Sequence, residues 1–245
     1  MLVSLQGSIY LATLSALGKY EKPVWVGNAP TCTLQLATET TPKNESFSGN
    51  RLQIGLLDRG KTATLNLTLD EWLVQNLALG LYANHNPLAG GSVTGEALPG
   101  NLVEGEFVRL DHPFVDELEL AVGGTPLVLG TDYRVHSPAG GLIEVLTAQA
   151  TGPIAAYEYA AVDSLAMFTS RPPERWLYLD GINTETGEAV LVDLYRTKFN
   201  PVGELGLIHE EYGSLPLTGA VLYDPINARD ANLGGYGRMI TKQAS

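Results

Sequence analysis

The sequence has 245 residues, 44% of them hydrophobic, so it can bury the core of one large β-rich domain or of a domain with a smaller insertion. Twenty-seven acidic residues against fifteen basic residues give a formal charge of −12, which argues against attraction to nucleic acid or to an anionic membrane as the main activity. The single cysteine, Cys32, excludes an intrachain disulfide, and we interpret it as an apolar strand residue.

The N-terminal stretch MLVSLQGSIYLATLSALGKYEKP is apolar but has no basic segment ahead of its apolar run, so we do not interpret it as a signal peptide. No segment approaches the ~18 uninterrupted apolar residues of a membrane helix. We therefore expect the chain to be made in the cytoplasm and to bind no membrane.

Two segments alternate between polar and apolar residues, which predicts strands. In TCTLQLATE (31–39) the apolar side carries Cys32, Leu34 and Leu36, and the polar side carries Thr31, Thr33 and Gln35. In KTATLNLTL (61–69) the polar side carries Thr62, Thr64, Asn66 and Thr68, and the apolar side carries Ala63, Leu65, Leu67 and Leu69. Such a polar side faces bulk solvent on an ordinary antiparallel sheet.

The segment between these strands is too long for a tight hairpin, and its first half is too polar for a core. We predict an extended loop or arm over residues 40–59. Its apolar side chains include Phe47, Leu52 and Ile54.

A helix is predicted to begin near Glu71, because Thr68 and Glu71 have the spacing of a capping box and Asp70 is an alternative N-cap. Its apolar stripe is predicted to consist of Trp72, Leu73, Leu77 and Leu81. Asn84 is predicted to end the helix.

The glycine- and proline-rich run PLAGGSVTGEALPG (87–100) is typical of a linker. Beyond it, short apolar runs separated by turn residues predict a small all-β unit over about residues 102–160. We assign residues 91–160 to an inserted small all-β domain, and residues 1–90 and 161–245 to the main domain.

The main domain resumes with RWLYLDG and EAVLVDLYRTKF, which flank INTETG and predict a hairpin with a long second strand. The segment PLTGAVLYD (216–224) predicts a last strand. The tail from Asn227 onward is predicted to be irregular.

Residue patterns of catalytic sites are scarce. The sequence lacks the nucleophile elbow, the Walker A loop and the HExxH zinc motif. We interpret His209–Glu210–Glu211 as a solvated turn, Asp111–His112 as a turn before a proline, and LGGYGR (233–238) as flexible chain. We expect no catalytic residue, metal or cofactor.

Five stretches, taken in order, resemble the tail tube proteins of long-tailed bacteriophages over roughly residues 20–84 and 163–225. They are ESFSGNRL, KTATLNLTLDEW, NLALGLY, DGINTETGEAVLVDLYRTKFNPVGELGLI and YGSLPLTGAVLYD. The resemblance implies a mainly β fold, a β-sandwich that forms a barrel between subunits, with one flanking helix. It also implies a structural virion protein that is not an enzyme and that assembles into stacked hexameric rings, through which DNA passes during ejection.

This resemblance gives the polar strand faces an expected role in lining the tube lumen, with Gln35, Thr62, Thr64, Asn66 and Thr68 as candidates. The arm becomes the expected contact between rings, with Phe47, Arg51, Leu52 and Ile54 as candidates. The implied partners are further copies of the chain, other tail proteins such as the tape measure, tail terminator and distal tail proteins, and passing DNA without sequence-specific binding. The implied location is the virion tail, assembled in the host cytoplasm.

Two other functions stay open at this point. One is a carbohydrate- or host-surface-binding β module of a phage particle, for which Tyr133, Tyr157 and Tyr159 of the inserted domain would be the evidence. The other is a hydrolase whose site has no recognisable motif.

Overall fold

The computed structural model describes residues 2–242, which fold into two compact units. One unit is formed by the chain up to His85 together with the chain from Leu165 onward, and the other spans Asn86–Ser164. The described residues are mainly β, with antiparallel strand pairing in the sheets and one α-helix. In chain order the elements are β1 (Leu5–Leu14), β2 (Tyr20–Trp25), β3 (Thr31–Asn44), β4 (Gln53–Leu69), α1 (Val74–Gly80), β5 (Asn84–Leu88), β6 (Gly91–Ala97), β7 (Phe107–Arg109), β8 (Val115–Val122), β9 (Thr125–Pro126), β10 (Tyr133–Ser137), β11 (Leu142–Val145), β12 (Ile154–Tyr159), β13 (Val162–Ala166), β14 (Arg175–Asn183), β15 (Glu188–Phe199), β16 (Leu215–Val221), a 3-10 turn (Asn227–Arg229) and β17 (Gly237–Thr241).

The first unit is built on one large sheet with the strand order β2-β1-β14-β15-β16-β4-β3, and β17 pairs alongside β15. The predicted hairpin is confirmed, since β14 and β15 pair from Asn183 opposite Glu188 onward. The alternation predicted for residues 61–69 is also confirmed. Ala63, Leu65, Leu67 and Leu69 are buried, and the residues between them are exposed or half-buried.

One hydrophobic core fills this unit, and strands far apart in the sheet contribute to it. Ile9 of β1 and Leu67 of β4 belong to the same cluster although three strands separate β1 from β4, so the sheet curves around its own core. The helix packs against this core through Leu79. Its Asn76 donates a side-chain hydrogen bond of 2.8 Å to the Val26 carbonyl, which ties the helix to the chain after β2.

The predicted cap of the helix is wrong. Helix α1 begins at Val74, its N-cap is Leu73, and no side chain caps it. Thr68 is unavailable as a cap because it lies in β4, paired with Pro216 and Thr31. Glu71 instead accepts a hydrogen bond from the Asn28 amide at 3.2 Å. Asp70 likewise accepts a hydrogen bond from the Asn28 side chain, so both carboxylates bind the neighbouring loop and leave the helix uncapped. The four predicted stripe residues are only half-buried or exposed.

The segment 40–59 is also more regular than predicted. Strands β3 and β4 continue through it as one long hairpin, which reaches Asn44 opposite Gln53 and contains two register shifts. The extended arm is confirmed and the alternative of an irregular loop is wrong, because polar residues can occupy both faces of a strand that no other layer covers.

Two further predictions of irregular chain are wrong. Within the glycine-rich run 87–100, Gly91–Ala97 forms β6 and pairs with β12, where a Cβ on Gly91 would lie 2.9 Å from the Tyr159 hydroxyl. In the tail, β17 pairs with β15, and Arg238 forms an ion pair of 2.9 Å with Asp193. At both places glycine marks close packing and does not mark flexibility.

The second unit has a core of its own between two small sheets, with orders β10-β11-β7 and β6-β12-β8-β9. Its most deeply buried side chains include Ala155 and Ile143. Strands β5 and β13, at the two ends of this unit, pair with each other. The only α-helix in the described chain is far too short to cross a membrane.

Candidate functional site

The polar sides of β3, β4 and β16 form one continuous surface, here called the polar face. It consists of Thr31, Thr33, Gln35, Thr62, Thr64, Asn66, Thr68, Thr218 and Ala220. Thr64 lies opposite Gln35 on one side and opposite Ala220 on the other, and Asn66 lies between Thr33 and Thr218. Side chains directly opposite each other in neighbouring strands point to the same face of a sheet. The structure therefore brings the five lumen-lining candidates together.

Uncharged hydroxyl and amide groups dominate the polar face, and they make few contacts with one another. Asn66 donates to the Thr33 hydroxyl at 3.5 Å, which is a long hydrogen bond. Near one margin, Asn200 donates to the Thr218 hydroxyl at 3.4 Å. The groups are thus left free to bind water.

A cation that sequence reasoning did not assign to this surface lies at its margin. Lys198 of β15 is exposed and pairs with Ala220, so its side chain points to the same side as Thr64. Through Lys198 the polar face reaches the end of a fourth strand, β15, which pairs with β16 only at Thr197–Phe199. Sequence reasoning missed Lys198 because it could not predict the pairing of β15 with β16. The alternation within β15 alone does not show which of its sides continues the polar face.

The other side of β4 and β16 faces the core of the same subunit. Leu65, Leu67 and Leu69 have almost no exposed surface, and the same holds for Leu215 and Leu217 of β16. The polar face is consequently supported by a rigid, well-packed layer.

Strand β3 lies at one end of the large sheet, and within residues 2–242 no strand pairs with its outer edge. Its apolar side lies toward the core side, as predicted, but is poorly covered: Leu34 is 42% exposed and Leu36 is 73% exposed. The two leucines line an open groove of about 280 Å³ together with apolar side chains that include Val192, Val221 and Met239. A long unpaired edge beside exposed leucines is a ready site for pairing with another strand.

The hairpin arm, residues 40–59, carries the four ring-contact candidates. Phe47 is 84% exposed, and Leu52 and Ile54 are also mostly exposed. Arg51 has a positive φ of 51° at the tip, where it is exposed. The arm is an exposed apolar surface, and such surfaces mark interaction sites on proteins.

One carboxylate organises the tip of the arm. Glu45 accepts hydrogen bonds of 2.7 Å from the amides of Phe47 and Ser48, a bond of 3.2 Å from the Leu52 amide, and a further bond from the Ser48 hydroxyl. These bonds, above all those from Ser48, lower the pKa of Glu45 from 4.5 to about 2. Glu45 is therefore ionised at neutral pH and holds the turn in one conformation.

The remaining candidates are packed inside the second unit or lie in exposed loops. Tyr133 and Tyr157 are buried, and Tyr159 is half-buried with its ring stacked on His112 at 3.9 Å. His112 Nδ1 lies 3.0 Å from the Tyr157 hydroxyl, which donates to Glu96, and burial raises the pKa of Tyr157. These tyrosines therefore do not form an exposed aromatic platform. His209 lies in an exposed loop against Trp72.

Among residues 2–242 no group of three or more His, Cys, Asp or Glu side chains is arranged to hold a metal ion.

A family model with the description "Protein of unknown function UCP028589" matches residues 2–240. The match covers nearly the whole sequence, so the chain belongs to this family. No curated protein matches the chain.

Proposed function

We propose that this member of the UCP028589 family is a structural subunit that assembles with copies of itself into hexameric rings, and that the rings stack into a hollow bacteriophage tail tube. One observation carries the proposal: a sheet whose polar face is backed by the subunit's own core ends in a strand with an unpaired edge. A subunit of this kind can extend its sheet into a neighbour and place the polar faces of all copies on one side.

Edge pairing between copies accounts for the exposed leucines of β3. If a neighbouring strand hydrogen-bonds to the outer edge of β3, its side chains cover the groove beside Leu34 and Leu36. The large sheets of neighbouring subunits then join into one barrel, as expected for the β-sandwich fold class predicted from the sequence. Closed barrels have no free edges, which removes the risk of uncontrolled sheet extension.

The size of such a barrel fits passage of DNA. If each copy contributes about four strands, namely β3, β4, β16 and β15, six copies supply ~24 strands. At ~4.8 Å spacing and ~40° tilt their circumference is ~150 Å and the diameter is ~48 Å. Side chains of roughly 5 Å on each wall leave just under ~40 Å. A DNA duplex passes through an opening of that width.

The chemistry of the polar face suits a moving polyanion. Threonine, asparagine and glutamine side chains keep the wall wet, and they lack the cations that would exchange counterions with phosphates and hold the DNA. Lys198 is the exception at the margin. A ring of six chains at −12 each has a formal charge of about −72, so the tube does not retain DNA electrostatically.

The hairpin arm is assigned to the contact between successive rings, with Phe47, Arg51, Leu52 and Ile54 at the interface. Apolar side chains this exposed are stabilised when a neighbouring ring removes them from water. In this assignment the chain acts in the virion tail and has no catalytic role. Its partners are its own copies and other tail proteins such as the tape measure, terminator and distal tail proteins.

Electron microscopy of the purified chain tests the proposal. We expect hollow rings or tubes with a central channel wide enough for duplex DNA, and a cryo-EM reconstruction should place Thr64 and Asn66 on the channel wall. Particles that stay monomeric at every concentration, or tubes with these side chains on the outer surface, would refute it.

A further inference from the structure

The first unit contains a pocket of about 490 Å³ between strands β1 and β2, helix α1 and residues 170–175. Three cationic side chains line it: Lys22, Arg171 and Arg175. No aspartate or glutamate is among its lining residues. The chain as a whole has 27 acidic and 15 basic residues, so the positive charge of this pocket is opposite in sign to the net charge of the chain.

None of these three cations has a hydrogen bond or an ion pair to any residue that the structure describes. Exposed arginines elsewhere, such as Arg59 and Arg109, also form no ion pair within the described residues, whereas two less exposed arginines do. Arg196 binds Glu174 at 2.7 Å, and Arg238 binds Asp193 at 2.9 Å. Arg175 is the distinctive member of the three, because it is half-buried and still has no carboxylate partner among residues 2–242.

The burial of Arg175 and the apolar part of the pocket wall favour a ligand that is both anionic and apolar. Arg175 is half-buried, and burial lowers the pKa of its guanidinium group, so its charge is partly desolvated and without a counter-charge. The pocket walls also include apolar side chains such as Val24 and Leu79. A ligand with both carboxylates and apolar groups matches these walls.

The chain itself exposes a segment of that chemistry, here called the acidic loop, residues 203–213. Ile208 is 95% exposed, and Leu207 and Tyr212 are also extended into solvent. Glu210 and Glu211 lie between them and form no ion pair within residues 2–242. Within the loop, the His209 ring packs edge-on against Trp72. Just before the loop, the Val202 amide donates to the Gly80 carbonyl at 2.8 Å.

We propose that the pocket formed by Lys22, Arg171 and Arg175 binds the acidic loop of a second copy, with Glu210 and Glu211 supplying the carboxylates. This inference rests on the proposed self-assembly and adds a contact to it. The pocket and the loop are different surfaces, so the contact is head-to-tail. Repeated head-to-tail contacts close into a ring when their rotation permits.

Charge exchange between copies tests the contact directly. The pocket variant carries Lys22→Glu and Arg171→Glu, both at exposed positions, and the loop variant carries Glu210→Lys and Glu211→Lys. Each variant alone places like charges on both surfaces, so association measured by sedimentation should weaken at least tenfold. An equimolar mixture pairs opposite charges at every contact and should regain the wild-type association.

A control matched to the loop variant carries Glu117→Lys and Glu119→Lys. These substitutions make the same charge change as the loop variant on exposed strand residues of the second unit, and they should leave association unchanged. Inorganic phosphate at constant ionic strength tests a small anion as the occupant. If phosphate binds the pocket without weakening association, or if either charge variant associates like the wild type, the proposal is overturned. Failure of the mixture to recover overturns it too.

The two proposals fail in distinguishable ways. Wild-type tubes that form independently of these charges would leave the tube function intact and remove the loop contact. Charge-dependent association without rings or tubes would keep the contact and refute the tube. A wild-type chain that never self-associates would refute both.

Discussion

The exposed leucine of the unpaired edge gives a quantitative test of sheet extension between copies. Leu36 is 73% exposed in the subunit, and Leu36→Thr keeps a residue that favours strands while removing most of the apolar surface. Little of this side chain is buried in the isolated subunit. The variant should therefore fold, with a free energy of unfolding lowered by only about 0.5 kcal/mol.

The cost to assembly follows from the exposed fraction. Full burial of a leucine side chain contributes ~2 kcal/mol, so covering the 73% that is exposed contributes about 1.5 kcal/mol per contact. That free energy corresponds to about a tenfold change in the association constant. The concentration at which rings or tubes first appear should rise about tenfold.

Dilution series followed by light scattering and sedimentation velocity measure that concentration. Leu129→Thr is the matched control, since Leu129 is 60% exposed but belongs to the second unit, and it should leave assembly unchanged. If Leu36→Thr and the wild type assemble at the same concentration, burial of β3 between copies is wrong. An equal loss in both variants would indicate a nonspecific hydrophobic effect.

Three further predictions concern the polar face and the arm. The double substitution Thr64→Lys and Asn66→Lys adds twelve cations to a ring of six. Assembly should persist, while genome ejection from tails built with this subunit should slow at least tenfold. Unchanged ejection kinetics would reject the argument from phosphate binding. Replacing residues 44–54 with a short Gly-Ser turn should give a folded subunit whose rings do not stack into tubes. Normal tubes of this variant in electron micrographs would contradict the role of the arm. Because the pKa of Glu45 is lowered to about 2, its stabilisation of the tip is complete above about pH 4.5 and is lost as the pH falls toward 2. Glu45→Gln should remove it at neutral pH, seen as about tenfold faster amide exchange at Phe47 and Ser48, whereas equal exchange rates in both proteins would exclude this role.

Alternation in the sequence predicted which way side chains point, but it did not predict what covers them. In β4 the core buries Leu65, Leu67 and Leu69, whereas in β3 the same pattern leaves Leu36 mostly exposed. The difference arises from the position of each strand in the sheet, since β4 has two neighbours and β3 has one. Strand order depends on contacts between distant parts of the chain, and the spacing of residues in one segment does not contain it.

Local signals succeeded where the interacting residues are close in sequence. The β14–β15 hairpin was predicted because its turn chemistry and both strands lie within one short stretch. The helix cap failed because a loop residue, Asn28, competes for Glu71 across more than forty positions. The cationic pocket had no sequence signal, since Lys22 lies far along the chain from Arg171 and Arg175.

The pairing of β5 with β13 has a consequence for how this protein can change over evolution. The chain leaves and re-enters the first unit at two points that lie one strand spacing apart, ~4.8 Å. Any domain whose termini are adjacent meets that geometric requirement. A recombination event can therefore exchange the whole Asn86–Ser164 unit as a cassette without moving either junction, and the same joint offers a point at which an unrelated domain can be displayed.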